Sequence, residues 1–306
     1  MSRIMLIIIG LSPLVPLMFG FTGSVLPLGE SLAVFRVPNL LAACVLIPFL
    51  RKTKFLYIAI VLIVFSIASI AIHYVPQSIS NQNAYRLYQK NLSFLIQDTE
   101  ALKDDILVAD VDFITLQEVT KKNSAFVSNL KDKFPYQTTC PFATVGGVTV
   151  MSRWPSTGQS HCFNNEGMSA MEVEAPTGTI WLISVHLYWP YPYGQADQVK
   201  RLVNHIEALE GPKIIGGDFN MVPWSHTLKS FEQVSGTQIA RSTIHSLKLP
   251  YIPMTIPIDH ILIPSGGNAK TQRRDKKGSD HFGVLAEFNL PKSLMSAFPT
   301  KQTLGE

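Results

Sequence analysis

A Gly-Gly-Asp-Phe-Asn segment at residues 216–220 is the strongest candidate for chemistry in the sequence. Ile214 and Ile215 precede it and predict the end of a buried strand. In an extended backbone, Asp218 and Asn220 face the same side because they are two residues apart. There the carboxylate would polarise a water molecule or bind a metal ion, and the carboxamide would donate to a developing oxyanion. The two glycines would let the backbone approach a ligand, although an ordinary turn uses the same residue types.

Further polar residues lie at or near the ends of predicted strands, and these are Asn91, Glu118, His186, Asp259, Asp280 and His281. In packed α/β or β-sandwich folds such ends gather at one edge, where loops build binding sites. A cluster of this kind would be a poor arrangement for stability alone. We therefore interpret these residues and the Gly-Asp-Phe-Asn segment as parts of one site.

The elements that must position these residues follow a repeated order of strand, helix and strand. Period-two alternation predicts a strand at residues 85–91. Further strands are predicted at residues 111–118, 148–151, 179–186, 257–264 and 282–288, in addition to the strand that leads into Asp218. Helices are predicted at residues 95–109 and 196–209. This order predicts the α/β class for the polar part of the chain.

In their order along the chain, these residues resemble the motifs of the endonuclease/exonuclease/phosphatase superfamily, which has the deoxyribonuclease-I-like fold. The similar segments are Asn91, Gln117-Glu118, Ser152-Arg153, His186, Gly217-Asp218-Phe219-Asn220, Ile258-Asp259-His260-Ile261-Leu262 and Ser279-Asp280-His281. The resemblance covers residues 83–290. The chain is also similar to the membrane-tethered bacterial subgroup called YafD-like, in its paired cysteines and in the sequences that follow His186 and Asp218.

The resemblance implies a four-layered α/β sandwich, two β-sheets flanked by helices, that hydrolyses a phosphate ester with Mg²⁺ or Mn²⁺. It implies that the metal ligands are Asn91, Glu118 and Asp280. The implied catalytic residues are His186, Asp218, Asn220, Asp259 and His281.

The roles that the resemblance implies leave two alternatives open. Asp259 orients and charges the His281 imidazole, and either His281 or Asp218 is the general base. Asn220 donates to the transition state, while His186 binds phosphate or protonates the leaving group. Arg153 is a further candidate for a phosphate contact.

Residues 1–75 hold the long apolar runs, and we interpret them as an all-α region with about three transmembrane helices. The candidate spans are residues 4–22, 32–50 and 55–72, each about the length that crosses a bilayer. Arg36 interrupts the middle span and would extend its side chain to the interface. A cleaved signal peptide is the alternative for the first span, and a segment that only dips into the bilayer is the alternative for the second.

The basic group Arg51-Lys52-Thr53-Lys54 predicts the orientation, since basic loops stay in the cytoplasm. With three spans, the protein lies in the bacterial inner membrane with its catalytic domain on the periplasmic side. Two spans would return that domain to the cytoplasm. Cys140 and Cys162 flank the predicted strand at residues 148–151, and a disulfide between them would persist only in an oxidising compartment. Two unpaired buried cysteines are the alternative.

Charge and aromatic content bear on the substrate. Residues 1–75 contain five basic residues and one acidic residue, so the remainder has 21 of each sign and is formally neutral. A neutral domain fits a small or locally bound phosphodiester better than an extended duplex, which normally needs many cations. The basic loop at residues 272–278 would contact phosphates. The aromatic residues at positions 188, 189, 191 and 193 would stack on bases, lie at a membrane interface or simply hold their own loop.

These observations divide the chain into a membrane region at residues 1–75, a tether at 76–84, a catalytic domain at 85–290 and a tail at 291–306. We expect a membrane-anchored, divalent-metal-dependent phosphodiesterase, most simply a nuclease-like enzyme acting on nucleic acid. A phospholipid or sphingomyelinase-type phosphodiesterase is the second interpretation, and a non-catalytic membrane-anchored binding module is the third. No particular protein partner is predicted.

Overall fold

The computed structural model describes residues 2–79, 84–96, 98–249 and 254–291. Most of the predicted tail, residues 292–306, and tether residues 80–83 lie outside the described residues.

In the described residues, two six-stranded mixed sheets form the centre of the fold. The first sheet contains, from edge to edge, β13 (Asn268–Arg274), β14 (Gly283–Asn289), β1 (Tyr85–Asn91), β2 (Phe113–Val119), β4 (Gly146–Ser152) and β3 (Tyr136–Ala143). The second contains β5 (Ser156–Phe163), β6 (Met168–Ala175), β7 (Gly178–His186), β8 (Lys213–Asp218), β12 (Asp259–Pro264) and β9 (Thr237–Ile239). A short ribbon joins β10 (Leu247–Lys248) to β11 (Thr255–Ile256).

Helices cover the outer faces of both sheets and give the predicted four layers. They are α6 (Glu100–Ala109), α7 (Ser124–Asn129), α8 (Gln195–Glu207) and α9 (His226–Ser235). Alternation along β1 shows the layering, because Leu87 packs between the sheets whereas Tyr88 packs with the α6 and α7 side. On the other side, Leu202 of α8 and Phe231 of α9 pack against the second sheet. The predicted α/β sandwich is confirmed.

The boundaries of several predicted elements need correction. The helix predicted at residues 95–109 begins only at Glu100. Strands β3, β5, β6, β9 and β13 and helix α9 had no counterpart in the prediction. β5 and β13 are largely exposed edge strands, so their sequences lack the apolar alternation that identifies a half-buried strand.

The two glycines before Asp218 serve packing rather than ligand approach. A Cβ on Gly216 would lie 2.1 Å from the Thr115 hydroxyl of the facing sheet, and one on Gly217 would lie 2.4 Å from the Val185 carbonyl oxygen. The absence of side chains therefore lets the strands meet closely directly beneath the predicted site. The expectation that these glycines approach a ligand was wrong.

The N-terminal region is helical, but its apolar segments are broken. Its helices are α1 (Arg3–Leu11), α2 (Leu14–Phe19), α3 (Pro27–Val34), α4 (Arg36–Leu46) and α5 (Phe55–Ala71), with 3-10 turns at Ile47–Leu50 and Ile72–Tyr74. Within the described residues, one helix, Phe55–Tyr74, is long and apolar enough to cross a membrane. Pro27–Val34 and Arg36–Leu50 would supply a second only as one span bent by 68°.

Arg36 is buried against the α/β sandwich, so the prediction that it extends to a membrane interface was wrong. Its side chain is 3% exposed and its guanidinium donates to the carbonyl oxygens of Gly20 and Trp224. The guanidinium also lies 3.9 Å from the centre of the Phe21 ring. Backbone carbonyls and an aromatic face thus take the place of water around this cation.

Candidate active site

Parallel strand pairs bring the predicted polar residues together at one edge of the sandwich. β1 and β2 run parallel, as do β7 and β8, so each pair ends at the same edge. β12 begins there, with Asp259 directly opposite Asp218, and His186 is the neighbour of Asp218 on β7. This edge gathers the side chains of Asn91, Glu118, His186, Asp218, Asn220, Asp259, Asp280 and His281.

Asp259 and His281 form a buried ion pair at the centre of this edge. His281 Nδ1 lies 2.7 Å from Asp259 Oδ2. Asp259 Oδ1 accepts a hydrogen bond from the Gln89 amide, and the Asp259 N–H donates to the Ser246 hydroxyl. Burial disfavours a charge on His281, but the Asp259 carboxylate outweighs burial and raises the pKa of the imidazole to about 9. The pair therefore presents an imidazolium at neutral pH.

Asp218 lies between two imidazoles. Its Oδ2 atom is 3.7 Å from His186 Nε2 and 3.9 Å from His281 Nε2, and it accepts a hydrogen bond from the Asn91 amide at 2.9 Å. Burial, reinforced by the charge of Asp259, raises the pKa of Asp218 to about 7. A carboxylate with this pKa exchanges protons near neutral pH, as a general base must.

His186 is a neutral imidazole on the opposite side of Asp218. Burial, together with the positive charge of His281, lowers the pKa of His186 to about 4. Its Nδ1 atom is buried and has no hydrogen-bond partner among the described residues, and Phe142 packs edge-on against its ring. A neutral imidazole supplies a hydrogen bond at neutral pH rather than a proton, which favours phosphate binding over protonation of the leaving group.

Oxygen ligands for a metal ion lie beside this group. Glu118 Oε1 accepts a hydrogen bond from the Asn91 amide at 3.1 Å, and Glu118 Oε2 accepts one from the Phe94 N–H at 2.6 Å. Burial raises the pKa of Glu118, and the neighbouring charge of Asp280 adds to this rise. Glu118 is partly buried and Asp280 is exposed, and a hard divalent cation would offset the repulsion between their two carboxylates. These residues therefore fit a Mg²⁺ or Mn²⁺ ion.

A second group of potential ligand atoms belongs to the proton-transfer centre. Asp218, Asp259 and His281 offer ligand atoms within 4.8 Å of one another. However, His281 Nδ1 and Asp259 Oδ2 are bonded to each other, so these two atoms satisfy one another without a metal ion. A group of this kind can transfer protons and bind phosphate.

Asn220 and Arg153 differ in how they relate to the site. Asn220 lies in the site with a φ of 49°, its N–H donates to Asp218 Oδ1, and its side-chain amide donates to the Leu187 carbonyl. This hydrogen bond to Leu187 uses one of the two side-chain amide protons, and the predicted role requires the other. Arg153 lies at the opposite end of β2 and pairs with Asp110 and Asp112, so the structure does not bring it to the site.

Cys140 and Cys162 are joined in the structure, with an S–S distance of 2.10 Å. They link β3 of the first sheet to β5 of the second, which are edge strands of different sheets. Phe142, two residues after Cys140, packs against His186 and Tyr188. The disulfide therefore ties together the two sheets close to one wall of the site.

A buried polar network beneath the site was missed by the sequence reasoning. The amides of Gln89 and Gln117 bond each other, and the network continues to Thr115 of the first sheet and Ser184 of the second. Gln89 also donates to Asp259. The strand pattern contained the signal, because Gln89 and Asn91 face the same side of β1.

Lys90 is a second residue that the sequence reasoning missed. Its side chain is fully buried, and its ammonium donates to the carbonyl oxygens of Lys276 and His281. Both acceptors lie in or next to the loop that presents Asp280 and His281. Lys90 therefore fixes the loop that carries part of the site.

Comparisons with known proteins agree with this fold. A model of the Endonuclease/Exonuclease/phosphatase family matches residues 89–281. Truncated TDP2 of Caenorhabditis elegans is similar, with 14% identity and a TM-score of 0.54 over 67% of this chain and 98% of that one. An endonuclease/exonuclease/phosphatase from Bacteroides vulgatus is 13% identical, with a TM-score of 0.53 over 68% of this chain and 100% of that one. TDP2 of D. rerio, complexed with a single strand DNA product, is 15% identical, with a TM-score of 0.52 over 68% of this chain and 100% of that one. No curated protein matches the sequence.

Proposed function

The chain belongs to the Endonuclease/Exonuclease/phosphatase family, and we propose that it is a membrane-anchored, divalent-metal-dependent phosphodiesterase. The observation that carries this proposal is the juxtaposition of the Asp218, Asp259 and His281 centre with the carboxylate of Glu118. Proton-transfer groups and hard oxygen ligands then meet at one solvent-accessible edge. Hydrolysis of a phosphodiester needs both.

In the proposed mechanism, Asn91, Glu118 and Asp280 would hold the metal ion. When bound, that ion neutralises phosphate charge and stabilises the leaving oxygen. The imidazolium of His281 and the N–H of His186 bind the non-bridging oxygens of the phosphate.

Asp218 is the proposed general base. It accepts a proton from the attacking water, the water oxygen bonds to phosphorus, and the bond from phosphorus to the leaving oxygen breaks. A pKa of about 7 leaves a substantial fraction of Asp218 ionised and able to accept this proton at neutral pH. Asp259 acts through His281, since it orients the imidazole and keeps it charged.

This function is tested by measuring the rate at which the full chain hydrolyses bis(p-nitrophenyl) phosphate, first with Mg²⁺ and then with a chelator. We expect the rate to fall to background with the chelator and in a His281→Ala variant. His161→Ala removes an exposed imidazole on β5 and is the matched control. A folded protein whose hydrolysis is unaffected by the chelator would contradict the assignment.

Contacts within the apolar region support its role as an anchor. Arg3 donates to the Lys52 carbonyl at 3.0 Å, so the start of α1 lies beside the basic loop that precedes α5. α3, the start of α4 and the turn after α5 contact the catalytic domain through Glu30, Arg36 and His73, respectively. The helix Phe55–Tyr74, which is long and apolar enough to cross a bilayer, would then have the basic loop at its start and the catalytic domain at its end.

We place the catalytic domain on the periplasmic side of a bacterial inner membrane. The positive-inside rule assigns the basic loop at residues 51–54 to the cytoplasm, and the disulfide fits an oxidising compartment. Fusions of alkaline phosphatase and of green fluorescent protein to the C-terminus test this orientation. Activity of the phosphatase fusion is expected, and a fluorescent fusion with inactive phosphatase would contradict it.

A further inference from the structure

The apolar N-terminal region contacts the catalytic domain at the edge that carries the site. Trp224, six residues after Asp218, donates from its indole to the Ala33 carbonyl and accepts from Arg36. Glu30 accepts hydrogen bonds from the N–H groups of His226 and Thr227. The segment that follows Asp218 therefore lies directly against the apolar helices.

At the C-terminal end of the apolar region, the turn after α5 contacts residues 243–245, which lie next to a residue that binds Asp259. The His73 carbonyl accepts bonds from both the N–H and the hydroxyl of Thr243, and the Tyr74 hydroxyl lies 2.7 Å from His245 Nε2. Ser246, the next residue, is the acceptor for the Asp259 N–H. The contacts of α3 and α4 with the segment after Asp218, and those of the turn after α5 with residues 243–245, thus fix the orientation of the catalytic edge relative to the helices.

A loop of exposed aromatic side chains leads from the site to the apolar region. This aromatic loop, residues 188–193, follows His186 by one residue. Trp189 is 40% exposed, Tyr191 55% and Tyr193 68%. Ser31 of α3 donates to the Tyr191 carbonyl at 2.7 Å, which holds the loop beside the apolar helices.

The base of the aromatic loop is rigid, so the exposure of its tip is a property of the fold. Gln195 donates to the carbonyl oxygens of Tyr188 and Phe219, both close to the site. Gln198 donates to the His186 carbonyl and accepts from the Tyr188 N–H. These two residues of α8 hold the loop backbone while its outer aromatic rings remain uncovered.

Exposed apolar side chains also lie on the other side of the mouth of the site. Phe94, whose N–H binds Glu118, is 40% exposed, and Leu95 is 65% exposed. Near the aromatic loop, Val25 is 76% exposed in the segment that leads into α3. Exposed apolar groups on several segments around one site mark an interaction surface, and Trp and Tyr favour the interface between lipid and water.

We propose that the aromatic loop lies in the interfacial layer of the bilayer and presents the site to phosphodiesters carried on lipid head groups. This inference rests on the proposed function and names its substrate class. The fixed contacts of the catalytic edge with the apolar helices place the loop at the level where those helices leave the membrane. The net neutrality of residues 76–306 favours this surface over an extended nucleic acid, whose phosphates require many cations.

Contact with lipid is tested without any enzymatic assay. The full chain is reconstituted into vesicles of phosphatidylcholine with or without bromine on the acyl chains, and tryptophan fluorescence is compared between the native protein and Trp189→Phe. Trp154, Trp181 and Trp224 remain in both proteins. We expect brominated lipid to quench the native protein more strongly than the variant, because Trp189 contacts lipid. Equal quenching of the two would overturn the placement of the loop.

The substrate class is tested with two substrates that share one leaving group. One is a phosphatidyl-p-nitrophenol in vesicles, and the other is bis(p-nitrophenyl) phosphate in water. A triple variant, Trp189→Ser with Tyr191→Ser and Tyr193→Ser, is expected to lose about tenfold or more on the lipid substrate and less than about twofold on the soluble one. Val108→Ser, an exposed apolar residue at the end of α6, is the matched control.

Each further outcome has one meaning. Equal losses on both aryl substrates would overturn the inference, as would a selective loss on a single-stranded oligonucleotide, which would show that the loop stacks on bases. If the native protein hydrolyses neither substrate with Mg²⁺, the proposed function fails. The quenching experiment still decides whether the aromatic loop contacts the bilayer.

Discussion

Replacing Asp259 by Asn is the most informative change to the site, because it removes a charge without changing the size of the side chain. In the structure the carboxylate binds His281 Nδ1 at 2.7 Å and is fully buried. An amide at this position keeps the contact with Gln89 but no longer stabilises the imidazolium. Its nitrogen would also face the N–H of His281, which disfavours the present ring orientation and tautomer.

The structure sets the size of the expected effect. The rise in the His281 pKa from 6.5 to about 9 corresponds to a preference of about 3 kcal/mol for the charged ring. If the transition state depends on this charge and orientation, the loss in kcat/KM is about 10² to 10³-fold. The variant should also lower the pKa of His281, because burial is then opposed only by the carboxylates of Asp218 and Asp280.

Two measurements on the full chain check this prediction. Hydrolysis of bis(p-nitrophenyl) phosphate gives the loss of activity, and nuclear magnetic resonance of the His281 ring gives its protonation as a function of pH. Asp197→Asn removes the same charge from an exposed position on α8 and should leave both unchanged. The reasoning is refuted if folded Asp259→Asn retains activity within about threefold, or if its His281 pKa is unaltered.

Three other changes have defined outcomes. Glu118→Gln should abolish Mg²⁺-dependent hydrolysis and weaken Mg²⁺ binding measured by calorimetry, whereas unchanged binding would remove Glu118 from the ligand set. Glu30→Gln should lower the thermal stability of the catalytic domain in detergent, by about 1 kcal/mol, because a carboxylate leaves the N-terminus of α9; an unchanged melting temperature would contradict this. Burial would raise the pKa of Asp105, but the Arg274 guanidinium outweighs burial and holds this pKa below its ordinary value of 3.8. The pair therefore stabilises the fold at pH values above 3.8, and this contribution is lost as the pH falls through the lowered pKa of Asp105. Arg274→Ala should therefore cost about 1–2 kcal/mol at neutral pH and progressively less as the pH falls below 3.8, and a cost that does not change with pH would argue against the ion pair.

The sequence predicted the catalytic edge well because its positions obey local rules. Period-two alternation located β1 and a run of β-favouring residues located β7, and Asn91 and His186 are the last residues of those strands. The extended backbone predicted from Asp218 to Asn220 was wrong, because β8 ends at Asp218 and Asn220 has a φ of 49°, although both residues lie at the edge. The convergence of these strand ends then follows from parallel pairing, which an α/β pattern already suggests.

Features that depend on contacts between distant segments were not predictable in this way. Arg153 follows a strand as the other candidates do, but β4 runs in the opposite direction and therefore ends at the other edge. Glu30 and Arg36 lie in an apolar region, and nothing local indicates that they bind residues more than 180 positions away. The roles of Gly216 and Gly217 became clear only from the facing strand β2 and the neighbouring strand β7.

The central proposal is that this site hydrolyses phosphodiesters with a divalent metal. The decisive measurement is the rate at which the full chain, in lipid vesicles, hydrolyses the lipid-borne and the soluble p-nitrophenyl phosphodiester as Mg²⁺ is titrated. The account predicts saturable activation by Mg²⁺, reversal by chelator and loss in Glu118→Gln. A folded protein that binds Mg²⁺ at Glu118 but hydrolyses neither substrate would contradict it.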